Sequence, residues 1–224
     1  MKQYILDKKA SQKETSPTKP KDILDLALSD EDYGSSASTS ELIDQLKTFF
    51  FAGHDTTAST ISWAYYFLSH SPTSLSLLRA EHDTVFGATS TPQDVAQKLI
   101  QDPKLHNKLD YTLAVIKEGL RLEPPAAPAR EISPGYVFKT RSGGEFVFPE
   151  GTMVYLSGYL LHRNRFVWGE DAREFKPERF MPGRHIPWGY VPFSKRPRDC
   201  IGSNLAYLEV SSSPVCFGAC SRIF

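Results

Sequence analysis

Between Ser38 and Ser69 the chain is apolar at helical spacing: Leu42, Ile43, Leu46, Phe49, Phe50, Ile61, Ala64, Tyr65 and Leu68 share a face, and Phe51, Trp63 and Phe67 fill others. Ser38 with Glu41 three residues on has the form of a capping box, and Ser71-Pro72 closes the run. At 1.5 Å per residue, roughly thirty residues span about 45 Å, enough to cross a whole domain. A helix this apolar is expected to be buried nearly all round. In its middle, Ala52-Gly53-His54-Asp55-Thr56-Thr57 combines glycine with two β-branched hydroxyl residues, all of which lower helix propensity. Small residues let a flat ligand approach the backbone, and threonine hydroxyls can bond carbonyls of the preceding turn, so a local opening of the helix is expected there. An ordinary kink with a solvated acid accounts for the same hexapeptide.

A chain of 224 residues forms one large domain or two small ones, and 40% hydrophobic residues suffice for a core. Twenty-six basic residues balance 26 acidic ones, which leaves no net field to attract nucleic acid or an anionic membrane. Three cysteines in so long a chain argue against a disulfide framework and for a reducing compartment. The first nine residues contain no apolar run long enough for a signal peptide or a membrane span. Residues 8–21, rich in Lys, Ser, Thr, Pro and Gln, bury too little apolar surface to offset ordering entropy. Residues 22–28 read as one or two amphipathic helical turns.

After Pro72, a helix is expected up to Phe86-Gly87, then a short helical piece over 92–105, then a strong helix over 109–122 stopped by Pro124-Pro125. On the last of these, Glu118 and Arg121 stand three apart and so face the same side. An exposed ion pair of this kind is common and worth under about 1 kcal/mol. Gly143-Gly144 between Tyr136-Val137-Phe138 and Glu145-Phe146-Val147-Phe148 signals a hairpin, and Thr152-Met153-Val154-Tyr155-Leu156 adds a strand, giving one small mixed sheet. Arg130 follows a proline-rich loop, and His162 reads as a local hydrogen-bonding residue rather than a metal ligand.

Near the C-terminus, Cys200 lies among Lys195, Arg196 and Arg198, a setting that favours a thiolate, with Phe193 seven residues before it and Gly202 two after. A buried structural cysteine is the plain alternative. The stretch resembles the cysteine-ligand loop of the cytochrome P450 family, in which Phe, two spacers, Gly, a spacer, Arg, a spacer, Cys, a spacer and Gly follow in order; Phe193, Arg198, Cys200 and Gly202 match, and Arg196 stands where the family has glycine. Asp55-Thr56 resembles the family's oxygen-activating pair. Glu118-x-x-Arg121 resembles its Glu-x-x-Arg helix, and Phe175-Lys176-Pro177-Glu178-Arg179-Phe180 resembles its later Pro-Glu-Arg-Phe segment.

The resemblance implies a mainly α fold with a small β-sheet, the C-terminal half of the family's fold over residues 22–210, nearest to microsomal-type fungal members. A disordered lead over residues 1–21 and an aberrant tail over residues 211–224 flank it. It further implies a haem-thiolate monooxygenase inserting one oxygen atom from O2 into a small apolar substrate. Cys200 would be the axial ligand of haem iron, with Arg198, Arg130 and Phe193 as further haem contacts and Asp55 and Thr56 delivering protons. Glu118, Arg121 and Arg179 would form a structural network behind the cysteine loop. The implied partner is an electron-donating reductase; no nucleic acid and no membrane segment in this chain are expected. The location is cytoplasmic for the chain and the endoplasmic reticulum membrane for a full-length relative. Arg196 is expected to strain the loop or crowd the cofactor at a cost on the order of 1–3 kcal/mol. The missing N-terminal half supports the alternative of a non-catalytic, truncated remnant with weak or no haem binding. Zinc held by Cys200, Cys216, Cys220 and His185 lacks ligand pairs at recognised spacings.

Overall fold

The computed structural model describes residues 1–11, 21–30 and 37–213, and the chain divides into two compact units, Met1–Asp55 and Thr56–Phe224. In the first, helices α1 (Lys2–Ser11) and α2 (Ile23–Ser29) pack with the start of α3 (Thr39–Ser69), and Ile5, Leu24, Leu28, Ala37 and Leu42 form the core. Asp22 caps α2 in a reciprocal box with Asp25, and the Lys8 ammonium reaches Asp22 at 2.8 Å and Asp25 at 2.5 Å. The lead expected to be disordered over residues 1–21 is therefore helical up to Ser11. Its composition is polar, but Ile5 is fully buried and Lys8 is paired, contacts that local composition does not register. Residues 12–20 lie outside the described residues.

The Ser38–Glu41 box is present in both directions, at 2.7 and 3.2 Å, and α3 runs unbroken from it. No opening occurs at residues 52–57. The Thr60 hydroxyl donates to the Thr56 carbonyl and Ser62 to Ala58, each at 2.8 Å, so these hydroxyls add to the helical ladder without parting it. Nor is α3 buried all round. Thr57, Thr60, Ala64 and Leu68 form one buried stripe, whereas Phe50 and Phe51 are 67% and 75% exposed.

In the second unit, α4 (Pro72–Phe86), α5 (Pro92–Gln101) and α6 (Asp110–Leu122) follow as expected, with a 3-10 turn at Pro103–Lys108 before α6. Helix α6 is the centre of this unit. Ten of its 13 residues are buried, and Tyr111, Val115, Ile116 and Leu120 meet Ala64, Leu68, Leu78 and Val210 in one cluster. Each such aliphatic side chain contributes roughly 1.5–3 kcal/mol by leaving water. On another side of α6, Ala114 packs with Trp168, Ala172 and Phe180.

The expected single mixed sheet is instead two separate antiparallel ribbons. Strand β1 (Ala129–Glu131) pairs with β4 (Met153–Tyr155), Arg130 facing Val154; β2 (Val137–Lys139) pairs with β3 (Glu145–Val147), Phe138 facing Phe146. A parallel pair would need a long crossover, and the connections here are turns, one of them using Gly143 at φ +87°. Two short helices, α7 (Gly158–Leu161) and α8 (Arg165–Trp168), and a 3-10 turn at Pro177–Phe180 lead to the cysteine loop and α9 (Ser203–Ser212). Helix α9 continues through Ser211 and Ser212, where the aberrant tail was expected to begin. Their hydroxyls bond the carbonyls of Tyr207 and Leu208, both at 2.6 Å, and so keep the serines helical. The rest of that tail, residues 214–224, lies outside the described residues. No helix among the described residues is long and apolar enough to cross a membrane.

Candidate functional site

Helix α6 presents Glu118 and Arg121 one turn apart on a fully buried face, not at the surface. The guanidinium grips the carboxylate with two bonds, Nε to Oε2 at 2.7 Å and Nη2 to Oε1 at 2.8 Å. Its remaining donors go to the carbonyls of His162 (2.7 Å), Ala172 (2.6 Å) and Glu174 (3.0 Å), while Glu118 also accepts the Lys176 amide at 2.8 Å. Arg179 completes the group. Its Nε lies 3.6 Å from Glu118 and its Nη2 2.7 Å from the Asp171 carboxylate. Burial pushes the Glu118 carboxyl above its ordinary range, opposed by the Arg121 fork, the Lys176 amide and Arg179. On the rim, Lys176 and Arg179 hold Asp171 down to about 2. The structure thus brings together Glu118, Arg121 and Arg179 from two elements, with all of the Arg121 donors used and the Arg179 Nε left without a hydrogen bond.

His162 lies against this network with no exposed surface. Its Nδ1–H donates to the Arg121 carbonyl at 3.0 Å and its Nε2 accepts the Val191 amide at 2.9 Å, a pattern that fixes one neutral tautomer. Burial pushes the imidazole down to about 4.

Two residues beyond Val191, the cysteine loop begins. The Cys200 amide donates to the Phe193 carbonyl at 2.9 Å, which closes residues 193–200 on themselves, and the Phe193 ring meets Tyr207 of α9 edge-on at 5.1 Å. Cys200 is a free, exposed thiol. Arg198 and Arg196 are exposed as well, and the left-handed residue of the turn is Ser194, at φ +64°, rather than Arg196. A Cβ on Gly202 would lie 3.9 Å from the sulfur, so glycine leaves that flank of Cys200 open. Ile201 and Leu205 are 91% and 61% exposed, so apolar surface lies beside the thiol. Asp55 is exposed and Thr56 half-buried on α3. Arg130, on β1, is exposed, and its guanidinium donates to the carbonyl of its neighbour Ala129 at 2.7 Å.

The sequence did not point to the contact between the buried Thr57 hydroxyl and the Glu209 carboxylate of α9, 3.5 Å apart, nor to the tie between His162 and Val191. Neither pair shares a period or a motif, so pairing of the elements alone reveals them. No cluster of three metal-ligating side chains occurs among the described residues, and Cys216 and Cys220 lie outside them.

The cytochrome P450 family model matches residues 1–213. Among curated relatives, a cytokinin hydroxylase of Arabidopsis thaliana is 36% identical over 174 residues, covering 75% of this chain and 30% of that protein. Cytochrome P450 4V2 of Rattus norvegicus is 37% identical over 207 residues, covering 90% and 37%. The cytochrome P450 monooxygenase acrF of Aspergillus aculeatus is 35% identical over 189 residues, covering 75% and 37%. Of solved structures, the crystal structure of a cytochrome P450 (CYP102L1) superposes with a TM-score of 0.76 at 28% identity, over 96% of this chain and 46% of that one. The chain spans about a third of the length of these curated relatives, from 30% to 37%. Its helices and antiparallel ribbons are accordingly part of a known mainly α architecture, and the chain belongs to the cytochrome P450 family.

Proposed function

We propose that the chain carries the cysteine-ligand half of a haem-thiolate monooxygenase, which inserts one atom of O2 into a small apolar organic substrate. One observation carries this reading: a free, exposed sulfur is held on a hydrogen-bonded loop beside apolar surface, in a chain matched by the family model over residues 1–213. The donor set fits haem. A thiolate is a soft ligand for iron, exposed Ile201 and Leu205 suit an apolar macrocycle, and guanidinium forks suit its carboxylates. When bound, haem supplies the redox chemistry, activating O2 with electrons from a separate reductase.

The chain's own residues would act as follows. Cys200 would hold the iron, Arg198 and Arg130 would hold carboxylates of the group, and Phe193 would back the loop. Asp55 and Thr56 take up and pass on protons. Glu118, Arg121 and Arg179 fix the orientation of the segments behind the loop and touch no substrate. A full-length protein of this type would work at the endoplasmic reticulum membrane.

The competing reading is a chain that binds haem weakly or not at all and turns nothing over. It is favoured by the large apolar side chains left at the surface of α3, Phe50 and Phe51. Haemin titration of the 224-residue chain, followed by reduction under carbon monoxide, separates the two. The first reading expects a saturable complex with a red-shifted carbon monoxide band that Cys200→Ser abolishes. Free-haem absorbance alone supports the second, and a band unchanged by Cys200→Ser excludes Cys200 as the ligand.

A further inference from the structure

Two backbone segments, 41 and 29 residues away in sequence, meet on the ring of His162. One is the Arg121 carbonyl near the end of α6, to which the ring donates while the Arg121 guanidinium donates to the carbonyl of His162 itself. The other is the Val191 amide, which donates to the second ring nitrogen. From Val191 the bonding runs on into the loop, the Val191 carbonyl accepting the Ser194 amide at 3.1 Å and the Phe193 carbonyl accepting the Cys200 amide at 2.9 Å. Beyond this inner end the loop has little to hold it, for residues 195–201 are all exposed. Its far end runs into α9, whose Tyr207 meets Phe193, and its near end is set by where residues 190 and 191 are fastened. Both are fastened to the α6 side, Tyr190 by its hydroxyl to the Lys117 carbonyl at 3.0 Å and Val191 through His162.

We propose that His162 is the positioning residue of the cysteine loop, a bracket that transmits the register of the Glu118–Arg121 network to the segment presenting Cys200. The importance of that placement rests on the haem-thiolate reading; the coupling itself does not. A neutral imidazole is needed, because a protonated ring would turn Nε2 into a donor facing the Val191 N–H. The surroundings keep it neutral: full burial, and the nearby guanidinium groups of Arg121 and Arg163, with the rings of Trp168 and Tyr190 packed against it.

Amide hydrogen exchange on the 224-residue chain tests the proposal without haem, read at Val191, Ser194 and Cys200 and, as control, at Val115 within α6. His162→Phe keeps the ring and its aromatic neighbours but removes both ring nitrogens. Faster exchange at the three loop amides, by about tenfold to a hundredfold, is expected there, with Val115 moving by less than about threefold. His162→Gln, whose carboxamide can reach Val191, is expected to restore loop protection, whereas the shorter His162→Asn is not. The Gln and Asn pair decides the matter should the Phe variant not fold. Unchanged loop exchange overturns the proposal, and so does an equal rise at Val115, which would make His162 a contributor to global stability only. Haemin affinity of the same variants is expected to follow loop exchange. Failure of every variant and the parent chain to bind haemin would refute the haem-thiolate reading and leave the exchange result to judge the bracket.

Discussion

All five N–H donors of Arg121 are taken: two by Glu118 and three by the carbonyls of His162, Ala172 and Glu174. A charge can be buried at this depth only because nothing on it is left unpaired. Arg121→Met strands the Glu118 carboxylate and three carbonyls, and the expected loss is about 3–5 kcal/mol in urea unfolding at neutral pH. Arg121→Lys should recover little of it, since a single ammonium cannot reproduce the two-pronged grip. Arg179 retains 17% side-chain exposure and stands 3.6 Å from Glu118, so Arg179→Ala should cost clearly less than Arg121→Met in the same assay. An equal or reversed order would mean that Arg121 is not the centre of the network.

Helix α6 starts without a cap of its own, Leu109 having no side chain that can serve. Its first amides are capped from α4. The Glu81 carboxylate accepts the amides of Tyr111 at 2.6 Å and Thr112 at 2.9 Å and the Thr112 hydroxyl at 2.7 Å, and its charge meets the positive end of the helix. Glu81→Ala is expected to destabilise the second unit by about 1–2 kcal/mol and to quicken exchange at Tyr111 and Thr112 first. Glu81→Gln, which keeps an acceptor, should fall between the two. On the β2–β3 ribbon, Gly143 adopts a left-handed φ that a Cβ disfavours. Gly143→Ala should cost roughly 1 kcal/mol there, seen as earlier melting of the ribbon in hydrogen exchange with the core unchanged.

At the scale of the chain, two buried histidines, His82 and His162, weaken the fold in mild acid. His82 bonds the Thr112 hydroxyl at 2.9 Å, and burial pushes both it and His162 down to about 4 from an ordinary value of 6.5. Between those values the unfolded chain binds more protons than the folded one. The stability each neutral imidazole contributes is therefore complete above pH 6.5, falls as the pH drops toward 4, and is gone below it. The loss is on the order of 3 kcal/mol per residue, and urea midpoints measured from pH 7 to pH 4 should fall across that window. A midpoint flat down to pH 4.5 would show that both rings accept a proton in place. His162→Gln should flatten part of the slope.

Local order was legible in the sequence wherever neighbours along the chain decide it. The Ser38–Glu41 cap, the start of α4 at Pro72, the stop of α6 before Pro124-Pro125 and the turn at Gly143 all follow from short-range sterics and hydrogen bonding. The spacing of Phe193, Arg198, Cys200 and Gly202 likewise belongs to one short segment and could be read directly. Burial could not. The same three-residue spacing serves a solvated ion pair or the sealed Glu118–Arg121 grip, and only the packing of residues 162–179 against α6 distinguishes them. Tertiary contacts also decided that the lead folds as far as Ser11, that α3 is not buried on all sides, and that His162 accepts the Val191 amide. The reason is common to all of these: solvent exclusion and hydrogen bonds between distant segments arise only when the elements meet, and no periodicity within one element encodes its partner.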